Sequence, residues 1–307
     1  MISLGCHGDV SRDRSPLEAA LRVGLVAGAS LLTVGCDRGI MDPVGPVGSA
    51  EKLILINSTA IMLAIVIPVI VATIAFAWWF RRGNRKATYR PDWEYSGAIE
   101  LVVWSIPAMT IILLGGIAWI GSHDLDPAKP LPSASPPLKI EVVSLDWKWL
   151  FIYPDQGVAT VNQLVVPAGT PVSFRLTSAT VWNSFFVPQF GTMIYTMPGM
   201  ATRLNLQADR QGVYDGLSSH FSGEGFAGMT FKVHAVPPAQ FAAWAQGARG
   251  QGQALDGKSY AELVKPSSYV KPVTYGAVAP GLFDAIMMNR PPPETAPPAL
   301  PPQKPGT

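Results

Sequence analysis

Two stretches of the chain carry no charged side chain: Ala60–Phe80, AIMLAIVIPVIVATIAFAWWF, and Leu101–Ile120, LVVWSIPAMTIILLGGIAWI. A helix of about 20 apolar residues rising ~1.5 Å each crosses the hydrocarbon core of a bilayer. The two runs therefore predict a transmembrane hairpin, with spans over 53–80 and 98–121. Buried helices of a soluble protein are the competing reading, but two such uncharged runs rarely stand side by side. Pro68 and Pro107 fall inside the runs, which is tolerated where neighbouring helices satisfy the released backbone groups. Trp78, Trp79 and Trp119 mark their ends, the usual position of interfacial tryptophans.

After the second run the pattern changes. A linker over 122–137 contains the four prolines of Lys129–Pro137, and from Leu138 short segments rich in Val, Ile, Phe, Tyr and Thr alternate with Gly, Pro and Asp. LKIEVVSLDWKWLFIY, ATVNQLVVPAGTPVSFRLTS, SFFVPQFGTMIYTMPG, ATRLNLQADRQGVYD and GMTFKVHAV read as strands of an antiparallel sandwich or barrel over 138–235. Residues 236–289 read as short helices and loops around FAAWAQ, SYAELV and GLFDAIMM, and 290–307 as a disordered Pro-rich tail. The fold class expected is an α+β membrane protein: a helical hairpin, a β-sandwich or barrel, and a small helical C-terminal extension.

Charge orients this arrangement. The loop 81–97 carries Arg81, Arg82, Arg85, Lys86 and Arg90 against Asp92 and Glu94, so the positive-inside rule places it in the cytoplasm. The N-terminus and everything beyond His123 then face the periplasm. The net charge of +2 and the lack of any Lys/Arg stripe interleaved with aromatics give no sign of a nucleic-acid partner. Cys6 and Cys36 both precede the first apolar run, so neither builds a disulfide or a thiolate metal site in the body of the chain.

Residues 1–35 are read as a signal peptide: a positive region from Arg12, a short apolar stretch from Val23, and small residues before Cys36. Residues 1–15 look unlike the start of an export signal, which implies an initiator downstream of Met1. A cysteine in this setting predicts a bacterial lipoprotein, cut before a diacylglyceryl-modified Cys36, with 36–52 as the lipidated segment. Val34 and Gly35 fit that signal; Thr33, where leucine is usual, does not. Asp37 resembles an inner-membrane retention signal.

The order of these features, with Glu100, Trp104 and Pro107 as E-x-x-x-W-x-x-P and then LDWKWLFIYP, WNSFFVPQFG and SGEGFAGM, resembles subunit II of the cytochrome bo-type ubiquinol oxidases of the heme-copper oxidase superfamily. The resemblance runs from about residue 20 to 290. It implies a periplasmic domain of cupredoxin type, a partner subunit I holding heme and copper, further small membrane subunits, membrane lipids around the hairpin, and ubiquinol as the substrate of the whole complex.

In the related cytochrome c oxidases the same domain holds a binuclear copper centre, built from an early His and a late Cys-x-Glu-x-Cys-x-x-x-His-x-x-Met. Laid over this chain, the early His position is Asn183, the thiolate positions are Ser218 and Ser222, the glutamate position is His220, the late His position is Phe226, and Met229 alone remains. Serine hydroxyls stay protonated near neutral pH and do not replace bridging thiolates. No copper site, no other metal site and no catalytic residue are therefore expected in this chain. His220 alone makes no site, and His7, His123 and His234 are scattered.

Neither apolar run contains a histidine, so heme ligation is expected only in the partner. Between Leu138 and His234 six acids face six bases, without the acidic excess that would steer a basic cytochrome c. Glu100 is the candidate for chemistry: the resemblance implies a carboxylate at the cytoplasmic mouth of a proton channel, against the alternative of a solvated acid favoured at a helix start. Trp147 and Trp149, without copper, are expected to pack against subunit I. Two other readings stand beside this one: a free lipid-anchored cupredoxin-like binding protein, and a cytochrome c oxidase subunit II.

Overall fold

The computed structural model describes residues 39–88 and 90–296. The signal segment, Cys36 and the last residues of the Pro-rich tail lie outside the described residues. Helix α1 spans Pro46–Trp79 and α2 spans Gly97–Asp124. At about 1.5 Å per residue both exceed the ~30 Å hydrocarbon core, and α1 does so by the larger margin. It begins well before residue 53 because its first turns belong to the β-domain rather than to the membrane.

The β-domain consists of β1 Leu138–Leu145, β2 Lys148–Tyr153, β3 Val158–Val161, β4 Gln163–Pro167, β5 Pro171–Ser178, β6 Asn183–Phe186, β7 Ile194–Thr196, β8 Thr202–Gln207, β9 Gly212–Ser218 and β10 Thr230–Val236. Helix α3 (Pro238–Ala248), β11 (Ala254–Leu255), α4 (Gly257–Leu263), β12 (Val273–Tyr275), β13 (Ala277–Val278) and α5 (Leu282–Met287) follow. One sheet has the order β12-β3-β2-β1-β5-β8, the other β4-β10-β9-β6-β7. Within these two sheets the pairs β1–β5 and β4–β10 are parallel and the others antiparallel, and β11 and β13 form a separate parallel pair. This is a mixed sandwich, where alternation alone predicted an antiparallel one.

Its central strand is apolar on both sides. Trp149, Phe151 and Tyr153 of β2 point into the core between the sheets, with Phe185 and Phe231 edge-on to Trp149 at 5.5 and 5.7 Å. Leu150 and Ile152 point the other way, into a second core with Leu255, Tyr260, Tyr275, Leu282 and Phe283. The C-terminal extension is thus a cover for the outer face of the first sheet. It also adds β12 to that sheet through Thr274 opposite Thr160, so the helical extension expected over 236–289 is part strand.

Both membrane helices are pinned to the edge of this sandwich. Before α1, the Val44 amide donates to the Gln189 carbonyl at 2.8 Å, the Asp209 amide donates to the Val44 carbonyl at 2.7 Å, and Arg210 pairs with Asp42 at 2.6 Å. After α2, the Asn205 amide donates to the Pro127 carbonyl at 2.9 Å. The expected linker 122–137 is therefore held against β8 rather than loose. These contacts fall on β8, on the residues just after it and on the β6–β7 connection, beside an edge strand whose open backbone groups otherwise invite pairing with another chain.

Gly45 permits the approach: a β-carbon there would lie 2.0 Å from the Gln207 carbonyl oxygen. Replacing Gly45 with Val should lower the thermal unfolding midpoint of the full chain in detergent, at a cost of roughly 1–3 kcal/mol for forced overpacking. Gly115→Ala, where nothing lies within 4 Å, should leave it unchanged. Equal midpoints for Gly45→Val and the parent chain would show that this seam does not hold the domain.

Candidate functional site

The positions matched to copper ligands fall at one end of the sandwich, where the chain passes from β9 to β10. Asn183 opens β6, and β6 pairs with β9 through Phe185 opposite Ser218, so a four-residue strand and the end of its neighbour bring Asn183 and Ser218 together. Both are buried. The Ser218 hydroxyl donates to Asn183 Oδ1 at 3.3 Å, with the His220 carbonyl 3.2 Å away. Ser222 lies 4.0 Å from the buried Met229 sulfur. Phe226 starts a 3₁₀ turn, Phe226–Gly228, and meets Phe221 edge-on at 5.5 Å. His220 is exposed, its ring edge-on to Tyr195 at 5.7 Å.

The tip of the β1–β2 hairpin closes over this loop. Trp147 sits there with φ of 62°, a left-handed backbone unusual for a bulky residue. Such a conformation costs on the order of 1 kcal/mol and persists only where surroundings enforce it. Here its indole N–H donates to the Ser222 carbonyl at 3.0 Å, and the ring lies where a β-carbon on Gly225 would stand, 2.3 Å from it. Only glycine at 225 admits the indole. Trp147 is half-buried on its own chain, and Trp149 is wholly buried in the sandwich core. The expectation that both pack on a partner is corrected for Trp149, which is enclosed by its own domain; Trp147 braces the loop with part of its ring exposed.

The neighbouring residue ties the C-terminal extension to the same tip. Lys148, only 1% exposed, donates from Nζ to the Lys265 carbonyl at 2.6 Å and to Ser267 Oγ at 2.5 Å. Burial holds its ammonium below the ordinary lysine range, with Asp146 pulling partly the other way. Asn162, also left-handed, accepts from the Trp149 amide and donates to the Val270 carbonyl, each at 2.8 Å. Between these two anchors the segment lays Tyr269 against Gly228 of the loop. Sequence reasoning missed Lys148 and Asn162. The signal was the strand KWLFIY itself, apolar on both faces, which requires a cover and puts Lys148 beneath it.

Glu100 stands apart, in the first turn of α2 and exposed, with its amide donating to the Ser96 carbonyl at 3.0 Å. Among the described residues it has no ion-pair partner. Cys36 lies outside the described residues.

The comparisons with known proteins meet this geometry directly. The family described as "Cytochrome C oxidase subunit II, periplasmic domain" matches residues 154–236, and "COX Aromatic Rich Motif" matches 249–290, the covering extension. The chain is 49% identical over 258 residues to cytochrome bo(3) ubiquinol oxidase subunit 2 of Pseudomonas aeruginosa, covering 84% of this chain and 78% of that one. It is 46% identical over 271 residues to ubiquinol oxidase subunit 2 of Acetobacter aceti, covering 87% and 88%.

The chain belongs to the ubiquinol oxidase subunit 2 family.

Membership in the ubiquinol oxidase subunit 2 family agrees with two apolar helices followed by a cupredoxin-like domain, and makes this chain one subunit of a heme-copper oxidase alongside a subunit I. Within it the aromatic-rich extension acquires a physical role, since it buries the outer face of β2 and reaches the loop at 218–229. Replacing Lys148 with Met should release that reach. Amides of residues 265–271 should exchange about tenfold to a hundredfold faster, matching the roughly 1.5–3 kcal/mol of a hydrogen bond to a charged group. Hydrogen exchange on the full chain reads this, and unchanged protection over 265–271 would mean that Lys148 does not anchor the segment.

Proposed function

We propose that this chain is the non-redox subunit II of a proton-pumping terminal quinol oxidase, anchored in the bacterial inner membrane with its β-domain in the periplasm. The complex oxidises two quinols per O2, yielding two quinones and two waters. The observation that carries the reading is the chemistry of the loop: an amide at 183, hydroxyls at 218 and 222, a phenyl at 226 and a thioether at 229. A binuclear copper centre needs two bridging thiolates and two imidazoles. These groups do not fit it, and Asn183 and Ser218 spend their hydrogen bonds on each other and on the backbone.

The domain's charges support a quinol rather than a cytochrome c as donor. Asp215 pairs with Lys232, Asp42 with Arg210, and Glu141 with Arg175, and Glu141 is lifted above the ordinary carboxylate range by burial, with Arg175 opposing. Acids and bases over 138–234 are equal in number and two of the six acids are ion-paired, so no acidic excess favours a basic protein donor. Heme and copper then belong to subunit I, with further small subunits completing the assembly. Cys36 is the lipidation site of this reading. Two spanning helices make the lipid an addition to an anchor rather than the anchor itself.

Purified with its partners, the complex should oxidise ubiquinol and not reduced cytochrome c, show heme spectra, and give no electron paramagnetic resonance signal of mixed-valence copper. Recovery of the chain alone, or that copper signal, would overturn the proposal.

Glu100 is the one chemical contribution proposed for this chain, a carboxylate at the cytoplasmic start of α2 that collects protons for subunit I. What supports it is an ionisable side chain at the membrane boundary, just past a basic loop. Glu100→Gln should slow oxygen reduction severalfold while the complex still assembles. Unchanged turnover and proton pumping would return Glu100 to the role of a solvated helix-start acid.

A further inference from the structure

At the cytoplasmic end of α1 two hollows adjoin and share Trp79 and Phe80. The one on the membrane side, about 400 Å³, is apolar and lined by Ala75, Phe76 and Trp78. The one beyond it, about 890 Å³, is lined by Arg81, Arg82, Lys86 and Arg90, with Trp93 on its rim. The turn that shapes the second is built by hydrogen bonds: Asn84 Nδ2 donates to the Trp79 carbonyl at 2.5 Å, and the Lys86 amide donates to Asn84 Oδ1 at 3.1 Å. Arg81 lies over the Trp78 ring, its guanidinium carbon 4.8 Å from the centroid.

No carboxylate among the described residues lies within ion-pair distance of any of the four cations. Part of this charge answers the negative end of the α1 dipole, but four cations around one hollow exceed what a helix end needs. The cationic hollow is too large and open for a single phosphate and is of the size that holds a substituted headgroup. The apolar one continues it along the helix, toward the side where the acyl chains lie.

We propose that this pair of hollows binds one anionic phospholipid of the inner leaflet, its phosphodiester headgroup among Arg81, Arg82, Lys86 and Arg90 and an acyl chain along Phe76, Trp78 and Phe80. The site requires that the helices span a membrane with the basic loop in the cytoplasm, and it is independent of what the complex oxidises.

The test uses the oxidase complex purified with its partners, stripped of lipid in detergent at low salt and titrated with phosphatidylglycerol or phosphatidylcholine. Native mass spectrometry reads the bound lipid. Phosphatidylglycerol should bind as one tightly held molecule and phosphatidylcholine weakly. The double substitution K86Q/R90Q should weaken phosphatidylglycerol binding about 30-fold, from ~1 kcal/mol per cation near the headgroups. It leaves Arg81, Arg82 and Arg85 to hold the loop in the cytoplasm, and protease protection of the loop checks that orientation. Equal binding of the two lipids, equal affinity in K86Q/R90Q, or displacement of phosphatidylglycerol by millimolar inorganic phosphate would each overturn the proposal. So would the absence of a tight lipid because a partner subunit fills the hollow.

Discussion

A strand buried on both faces must have something laid on each side of it, and β2 imposes that requirement on the whole external domain. Its residues alternate between two cores: Trp149, Phe151 and Tyr153 inward between the sheets, Leu150 and Ile152 outward beneath the extension. At about 25 cal/mol per Å² of apolar surface removed from water, exposing either face of such a strand is prohibitive. The extension is therefore part of the fold. The sandwich needs α4, α5 and β12 as much as they need the sandwich.

The same strand organises the loop at 218–229, which holds most of the positions matched to copper ligands. In a copper-bearing relative, thiolates and imidazoles would cross-link the loop through a metal. Here the cross-links are made by side chains: Trp147 to the Ser222 carbonyl, Ser218 to Asn183, Phe226 against Phe221, Tyr269 against Gly228. One of them starts at the β1–β2 tip, where the left-handed Trp147 is held, and another depends on the segment that Lys148 ties down. The cost of burying an ammonium is offset because its donors find a carbonyl and a hydroxyl. A hairpin and a strap of the chain's own residues keep this loop in shape.

The seam along β8 does a comparable service for the membrane. Contacts from Asp42–Gly48 and from Pro127 close an otherwise open sheet edge and fix where each helix leaves the domain. A helix longer than the hydrocarbon core then serves two purposes: its apolar length spans, and its first turns join the sandwich. The exposed faces of both helices are what a bilayer and a subunit I would cover.

Much of this was legible in the chain itself, because the relevant forces are local or compositional. Uncharged runs long enough to span, a basic loop between them, short β-rich segments, and serines where thiolates would be needed are properties of side chains, and no folding alters them. What only the tertiary structure decided involves residues far apart. That Lys148 is buried follows from the docking of Lys265 and Ser267, more than a hundred positions away. That Trp149 faces its own core, and not a partner, follows from which side of β2 meets Phe185 and Phe231. Alternation along a strand gives two faces, but not what covers each. That is settled only when distant segments compete to bury them.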